Sequence, residues 1–337
     1  MIAKGEIIGK GVRGVQPSVT QLLADVTTRE PMRGVPGTTE STIERVSIGG
    51  RPHVVKHINL ARDWTVHAAG VIGAPVLAMW RKGLFDRLPA CINQPIIGVA
   101  SQPGQTSVLM HDVSQWLVPS SDEPIPLAQH LRFLDHMAQL HASFWQGGAE
   151  LEVVPLMHRY LDLSPWLPIA ERSIGSTMRI PQLVDEGWRR LVKVAPKAAR
   201  IVAPLAWDPG PLVMALESTP ATFVHGCLKF DNMGSDVAGR TVLIDWELPG
   251  RAPACSDLAW YLAINCRRIP QTKEDAIVAY RDALERHHID TTGWWDRQLA
   301  LCLLGGLVQF GWEKALEGYD DEFAWWEEHA IEGGQFV

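Results

Sequence analysis

Residues 41–58 carry the pattern that most restricts the fold. STIERVSI (41–48) alternates through Ile43, Val46 and Ile48, a turn follows at Gly49-Gly50, and RPHVVKHI (51–58) is β-patterned again. Two such runs around a Gly-Gly pair predict a β-hairpin. Lys56 falls inside its second strand, between Val55 and His57. GQTSVLMHDV (104–113) predicts another strand, and APVLAMWRKGLFDRL (74–88) a helix. Upstream, VTQLLADV predicts a short amphipathic helix with Ser18 as its N-cap.

Beyond the polar, Pro-rich connection SSDEPIP (120–126) the pattern changes. Leu127, Leu131, Leu134, Met137, Leu140 and Phe144 recur at three and four residues, the spacing of a helix. His136 and His141 lie on it and are read as packed or surface residues. Residues 150–218 read as helical with Pro breaks. Residues 221–248 hold ATFVHG, a polar loop CLKFDNMGSDVAGR and TVLIDWEL, and the chain reads as helical from Pro253 onward. A β-rich first part ahead of a mainly helical second part is an α+β arrangement. With 337 residues, 46% of them hydrophobic, the chain can bury two cores. The lobes are expected at 1–115 and 116–337.

Composition excludes several classes. Lys and Arg number 31 against 38 Asp and Glu, and a net charge of −7 argues against a nucleic-acid partner. Residues 1–115 carry a net +4 and residues 116–337 a net −11. That asymmetry suits two surfaces with different partners, or two ordinary solvated surfaces. Five scattered cysteines (Cys91, Cys227, Cys255, Cys266, Cys302) without a C-x-x-C pair suit neither a disulfide framework nor a zinc site. No uninterrupted apolar run reaches signal-peptide or membrane-span length, so a cytoplasmic chain with no membrane partner is expected. Of 14 Trp, seven follow residue 245. The doublets Trp294-Trp295 and Trp325-Trp326 cannot place both rings on one helix face. Most of these rings are therefore expected in the core, with one of each pair available to line an acceptor cleft.

The segment His225–Asp245 carries the chemistry. A His-Gly turn opens a loop that Asn232 ends, and Asp245 closes a short strand. An Asn and an Asp held at the ends of paired strands can share a divalent cation. Mg²⁺ prefers few protein oxygens plus phosphate oxygens, so the pair suits a metal–nucleotide site.

With HGCLKFDN (225–232), VLIDWE (242–247) and SDLAWYL (256–262), the sequence resembles the aminoglycoside phosphotransferase and choline kinase-like family. Its members carry H-G-D-x-x-x-x-N, a strand ending I-D-W/F-E, and D-L-A on the next helix. Lys56 in HVVKHI and LHASFW (140–145) fit as well. The resemblance implies a two-lobed protein-kinase-like fold and ATP/Mg²⁺-dependent phosphoryl transfer to a small hydroxylated, even cationic, acceptor. It implies that Lys56 pairs with nucleotide phosphates and that the 34–41 loop, with Gly37 and Ser41, covers them. Met110 and Asp112 then lie in the adenine hinge at 109–113. Asn232 and Asp245 would hold Mg²⁺, while His225 and Asp257 brace the catalytic loop.

Two departures stand beside these matches. Where the family has the Asp that accepts the acceptor's proton, this chain has Cys227, and a thiol is mostly protonated at its ordinary pKa. No Glu occurs between Glu44 and Glu123 to pair with Lys56 from a helix. Aligned through GLFDRLP, that position falls on Val76, with Asp63 and Asp86 as weak substitutes. Three readings stay open: an impaired phosphotransferase using another base such as Asp231, an inactive kinase-like binding or regulatory protein, and a repurposed enzyme with Cys227 as nucleophile.

Overall fold

The computed structural model describes residues 14–32, 41–65 and 73–337. The expected phosphate-covering residues 34–40, Gly37 among them, lie outside the described residues. Among the described residues the first part contains the helices α1 (Val19–Leu22) and α2 (Pro75–Arg81). Strands β1 (Val26–Pro31), β2 (Thr42–Ile48), β3 (Arg51–Asn59), β5 (Ile96–Gln102) and β6 (Gln105–His111) form an antiparallel sheet in the order β1-β2-β3-β6-β5. The Gly-Gly hairpin is present as read, and Ser18 caps α1 by accepting the Gln21 amide at 3.2 Å.

Alternation gives the sheet two different faces. Val46, Val55 and Leu109 form a small apolar layer with Leu23 beneath α1. Lys56 and Ile58 on β3, with Val108 and Met110 on β6, line the opposite face and a cleft. The expected 74–88 helix stops earlier. Gly83 takes φ +65° after Arg81, and the chain resumes as a 3₁₀ turn at Leu84–Arg87. A left-handed residue at a helix end is cheap only for glycine.

The second part contains α3 (Leu127–Ser143), α4 (Leu156–Leu161), α5 (Trp166–Ser173), α6 (Arg179–Val194), α7 (Pro196–Trp207) and α8 (Gly210–Glu217). It continues with α9 (Cys255–Ile264), α10 (Lys273–Arg286), α11 (Trp295–Glu317) and α12 (Asp321–Gly333). α11 is the axis, packed against α6, α9 and α12, while α3 packs on α10. By length and composition α11 could cross a membrane, yet 83% of its apolar window is buried inside the fold. Of the doublets, Trp295 and Trp326 are buried and Trp294 and Trp325 half-buried, and none of the four lines the cleft between sheet and short strands.

Short strands place the loop. β7 (Thr222–Val224) pairs with β10 (Gly250–Ala252), and β8 (Met233–Ser235) pairs with β9 (Thr241–Leu243). β10 escapes the sequence reading because three residues beside Gly and Pro have no local periodicity, and only pairing with β7 defines them. β4 (Ile92–Asn93), from the first part, adds to β9 in parallel.

The α6–α11 contact depends on Gly187, where a Cβ would lie 2.2 Å from the Trp312 carbonyl oxygen. Backbone cannot yield as a flexible side chain can. Gly187→Ala is expected to lower stability by about 1–3 kcal/mol, read as a lower urea midpoint at unchanged slope.

Candidate functional site

A cleft opens between the sheet and the short strands. Apolar walls come from Val76, Ile96, Val108 and Met110, and polar ones from Lys56, Asp63, Asp245 and Glu247. Lys56 spans it. Its Nζ donates to Asp245 Oδ1 at 2.5 Å and to Glu247 Oε1 at 3.2 Å. These partners lie 189 and 191 residues away in sequence. Burial opposes charge on Lys56, but Asp245 and then Glu247 outweigh it, so the ammonium is held charged well above its ordinary pKa. The same contact holds Asp245 low against burial. Glu247 is instead pushed up, by burial and by its neighbour Asp245.

Local backbone explains why both carboxylates reach one amine. Asp245 adopts φ +59°, and the Glu247 amide donates to the Asp245 carbonyl at 2.9 Å. This tight turn after β9 aims residues two apart at the same point. Left-handed backbone at a non-glycine residue costs of order 1–3 kcal/mol and concentrates at functional sites.

On the loop, His225 is buried and its role is structural. Its backbone amide and that of Gly226 each donate to Asp257 at 2.8 Å, on Oδ2 and Oδ1 respectively. The imidazole Nδ1 accepts the Cys227 amide at 3.2 Å, and Nε2 donates to the Ile244 carbonyl at 3.1 Å. Gly226 takes φ +84°, and a Cβ there would lie 2.1 Å from the Leu248 carbonyl oxygen. Only glycine fits that turn. His141 donates from Nε2 to Asp257 at 3.3 Å and accepts the Tyr280 hydroxyl at 2.6 Å, so it is a packed residue. Burial opposes ionisation of Asp257, but the His141 hydrogen bond overcomes this and holds its carboxyl below the ordinary range.

Cys227 is buried, and its sulfur accepts Asn232 Nδ2 at 3.3 Å. Burial, then the charge of Glu247, pushes its thiol far up, the reverse of an activated nucleophile. Asn232 also donates to the Cys227 carbonyl at 3.1 Å. Asp231, considered as a substitute base, is exposed on the 3₁₀ turn Phe230–Asn232 and does not line the cleft.

The two residues expected at the hinge separate. Met110 lines the cleft, whereas Asp112 lies outside it, bonded to Arg45 at 3.0 Å and to the Ser114 hydroxyl at 2.6 Å. Ser41 begins the described segment ahead of β2. Val76, at the expected place of the helix Glu, is a buried apolar wall, and Glu247 is the second carboxylate on Lys56. Two further residues had no sequence signal: Arg159, which donates to the Leu248 carbonyl at 2.7 Å, and Asp162 beside it.

His225 gives a pH test. Burial, opposed by Asp257, lowers its pKa from 6.5 to about 4. The unfolded chain takes up a proton near 6.5 that the folded chain refuses until about 4. Its contribution is therefore full above 6.5 and lost as pH falls to 4, on the order of 3 kcal/mol. The stability gap between the parent and His225→Gln should narrow over that range in urea titrations, and a constant gap contradicts the burial of a neutral imidazole.

No family model matches the chain, and no curated protein matches it in sequence. Solved structures match along nearly its whole length. Choline kinase LicA from Streptococcus pneumoniae gives a TM-score of 0.50 at 12% identity, covering 95% of this chain and 96% of that one. An aminoglycoside phosphotransferase from Alicyclobacillus acidocaldarius gives 0.47 at 14%, covering 96% of each. A thermostable mutant of aminoglycoside phosphotransferase APH(4)-Ia, in ternary complex with ADP and hygromycin B, gives 0.47 at 13%, covering 94% and 97%. At such identities the likeness is one of fold, and the fold of this chain is the two-lobed protein-kinase-like fold that choline kinase shares.

Proposed function

We propose that the chain binds Mg·ATP in the cleft and transfers its γ-phosphoryl group to a small hydroxylated molecule. The observation that carries this reading is the contact of Lys56 on β3 with Asp245 after β9, a cation and a carboxylate facing each other across the cleft. Nucleotide is assigned mainly to residues 1–115 and acceptor to 116–337.

The donor set suits the metal. Among the described residues no group of three or more His, Cys, Asp or Glu is spaced to hold a metal ion. Asp245 supplies one carboxylate. Because Asn232 spends its Nδ2 on Cys227, Oδ1 is the oxygen it offers. Such a sparse pair fits Mg²⁺, which takes its other oxygens from phosphate and water. Bound there, the ion would neutralise charge on the phosphate oxygens.

The chain's own residues do the rest. With Asn232 and Asp245 holding the ion, the Lys56 ammonium would be free to meet the phosphates. Val76, Val108 and Met110 offer an apolar slot for the base. Asp63 and Glu247 line the same cleft and favour an acceptor carrying positive charge. In calorimetry, Mg·ATP should release heat with the parent, and Lys56→Met should weaken binding at least about tenfold. No heat at millimolar nucleotide overturns the nucleotide reading.

A second reading, a nucleotide-binding protein without transfer, has its own support: position 227 carries a sulfur engaged by Asn232, not a free carboxylate. The two readings part on one substitution. Under the first, Cys227→Asp should raise ATP turnover at least about tenfold, general-base gains being commonly 10²–10⁴. A variant that binds Mg·ATP yet turns it over no faster than the parent favours the second.

A further inference from the structure

Lys56 carries its ammonium on a long, flexible stem, and such a group meets a phosphate in a fixed geometry only when something holds it. In the cleft two carboxylates hold it, Asp245 at 2.5 Å and Glu247 at 3.2 Å. Under the reading above Asp245 goes to the ion, so one holder is withdrawn when Mg·ATP arrives. Among the described residues, the carboxylates lining the cleft are Asp63, Asp245 and Glu247. Asp63 Oδ1 is engaged by the Thr65 amide at 3.0 Å and the Thr65 hydroxyl at 2.6 Å, closing a turn after β3. On α2, Val76 puts a buried apolar side chain where the family resemblance calls for a helix Glu. Glu247 is the carboxylate left to Lys56.

Its backbone is fixed from both sides. Before it, the Trp246 ring packs on His225, centroids 4.3 Å apart, and edge-on against Phe85 at 5.8 Å. After it, the Leu248 carbonyl accepts Arg159 at 2.7 Å. The Glu247 amide itself donates to the Asp245 carbonyl across the left-handed turn. A carboxylate on such a mount keeps its place when its neighbour changes partner.

We propose that Glu247 is the positioning residue of Lys56. With Asp245 on the ion, Glu247 alone holds the ammonium toward the phosphates, the task a helix Glu performs in kinase-like folds. This rests on the nucleotide reading above. Asp245 and Glu247, two residues apart, thereby divide the work, one for the metal and one for the lysine.

The test titrates the full chain with Mg·ATP in a calorimeter, as parent, Glu247→Gln, Lys56→Met and Glu247→Gln/Lys56→Met. Glu247→Gln should weaken binding at least about tenfold, the scale of a lost hydrogen bond between charged groups. In the Lys56→Met background the same change should not weaken binding, because a carboxylate without its lysine only repels phosphate. Should Glu247→Gln not fold, the parent decides. Its crystal with Mg²⁺ and a non-hydrolysable ATP analogue should keep Glu247 within hydrogen-bond reach of Lys56 Nζ, with Asp245 on the ion.

Glu247→Gln binding Mg·ATP as tightly as the parent, or more tightly, overturns the assignment, since Glu247 then competes with phosphate for the lysine. Equal weakening with and without Lys56 marks a metal ligand or a merely structural side chain and overturns it too, as does a crystal with Glu247 on the ion and away from Lys56. In each of these cases the nucleotide reading stands. A parent giving no heat with Mg·ATP overturns both.

Discussion

Asp257 is a fully buried carboxylate that accepts the amides of His225 and Gly226 and the His141 imidazole. A carboxylate with three donors can stay ionised away from water, and it then fixes whatever supplies them. Here the donors belong to α3 and to the His-Gly turn, so one side chain on α9 sets the start of the loop. Cys227 and Asn232 follow within seven residues of His225, and their positions descend from that anchor. The neutral His225 passes the constraint on, clasping the Ile244 carbonyl immediately before Asp245. Lys56 then meets a carboxylate whose place is set, through His225, by a side chain on α9.

Much of this is legible in the sequence because it is local. The 41–58 alternation and its Gly-Gly turn determine the hairpin and put Lys56 on the cleft face. The three-and-four spacing of residues 127–144 sets α3. The HGCLKFDN and VLIDWE segments mark the loop because each is one short stretch. What escaped the reading is defined by partners far along the chain. Glu247 sits inside a quoted motif, yet its contact with Lys56 requires the left-handed backbone at Asp245. Arg159 acquires meaning only once α4 is packed against residues 226 and 248. The 74–88 pattern predicts a longer helix than forms, because Gly83 in left-handed backbone ends it, and a glycine inside an apolar repeat carries no local mark of that role.

The absence of Glu from residues 45–122 now has a structural counterpart. Val76 closes the cleft with an apolar wall, and the partner of Lys56 comes from the Asp245–Glu247 turn instead. A lysine held by two carboxylates of a single rigid turn does not need a helix to position it. Buried ion pairs add little net stability, so the arrangement is better understood as positioning than as a source of it.

The short strand β4 has a mechanical consequence. The chain leaves the five-stranded sheet after β3, joins the helical part at Ile92–Asn93 beside β9, and re-enters the sheet at Ile96. Gln94 staples that return, its side chain accepting the Ile96 amide at 2.9 Å and donating to its carbonyl at 3.3 Å. With the later crossing after β6, the backbone passes between the two parts twice, and Lys82 adds a side-chain tie to the Glu152 carbonyl at 2.5 Å. Because β4 belongs to the connection between two sheet strands and also pairs with β9, loosening that short segment would disturb the sheet and the strand ahead of Asp245 together.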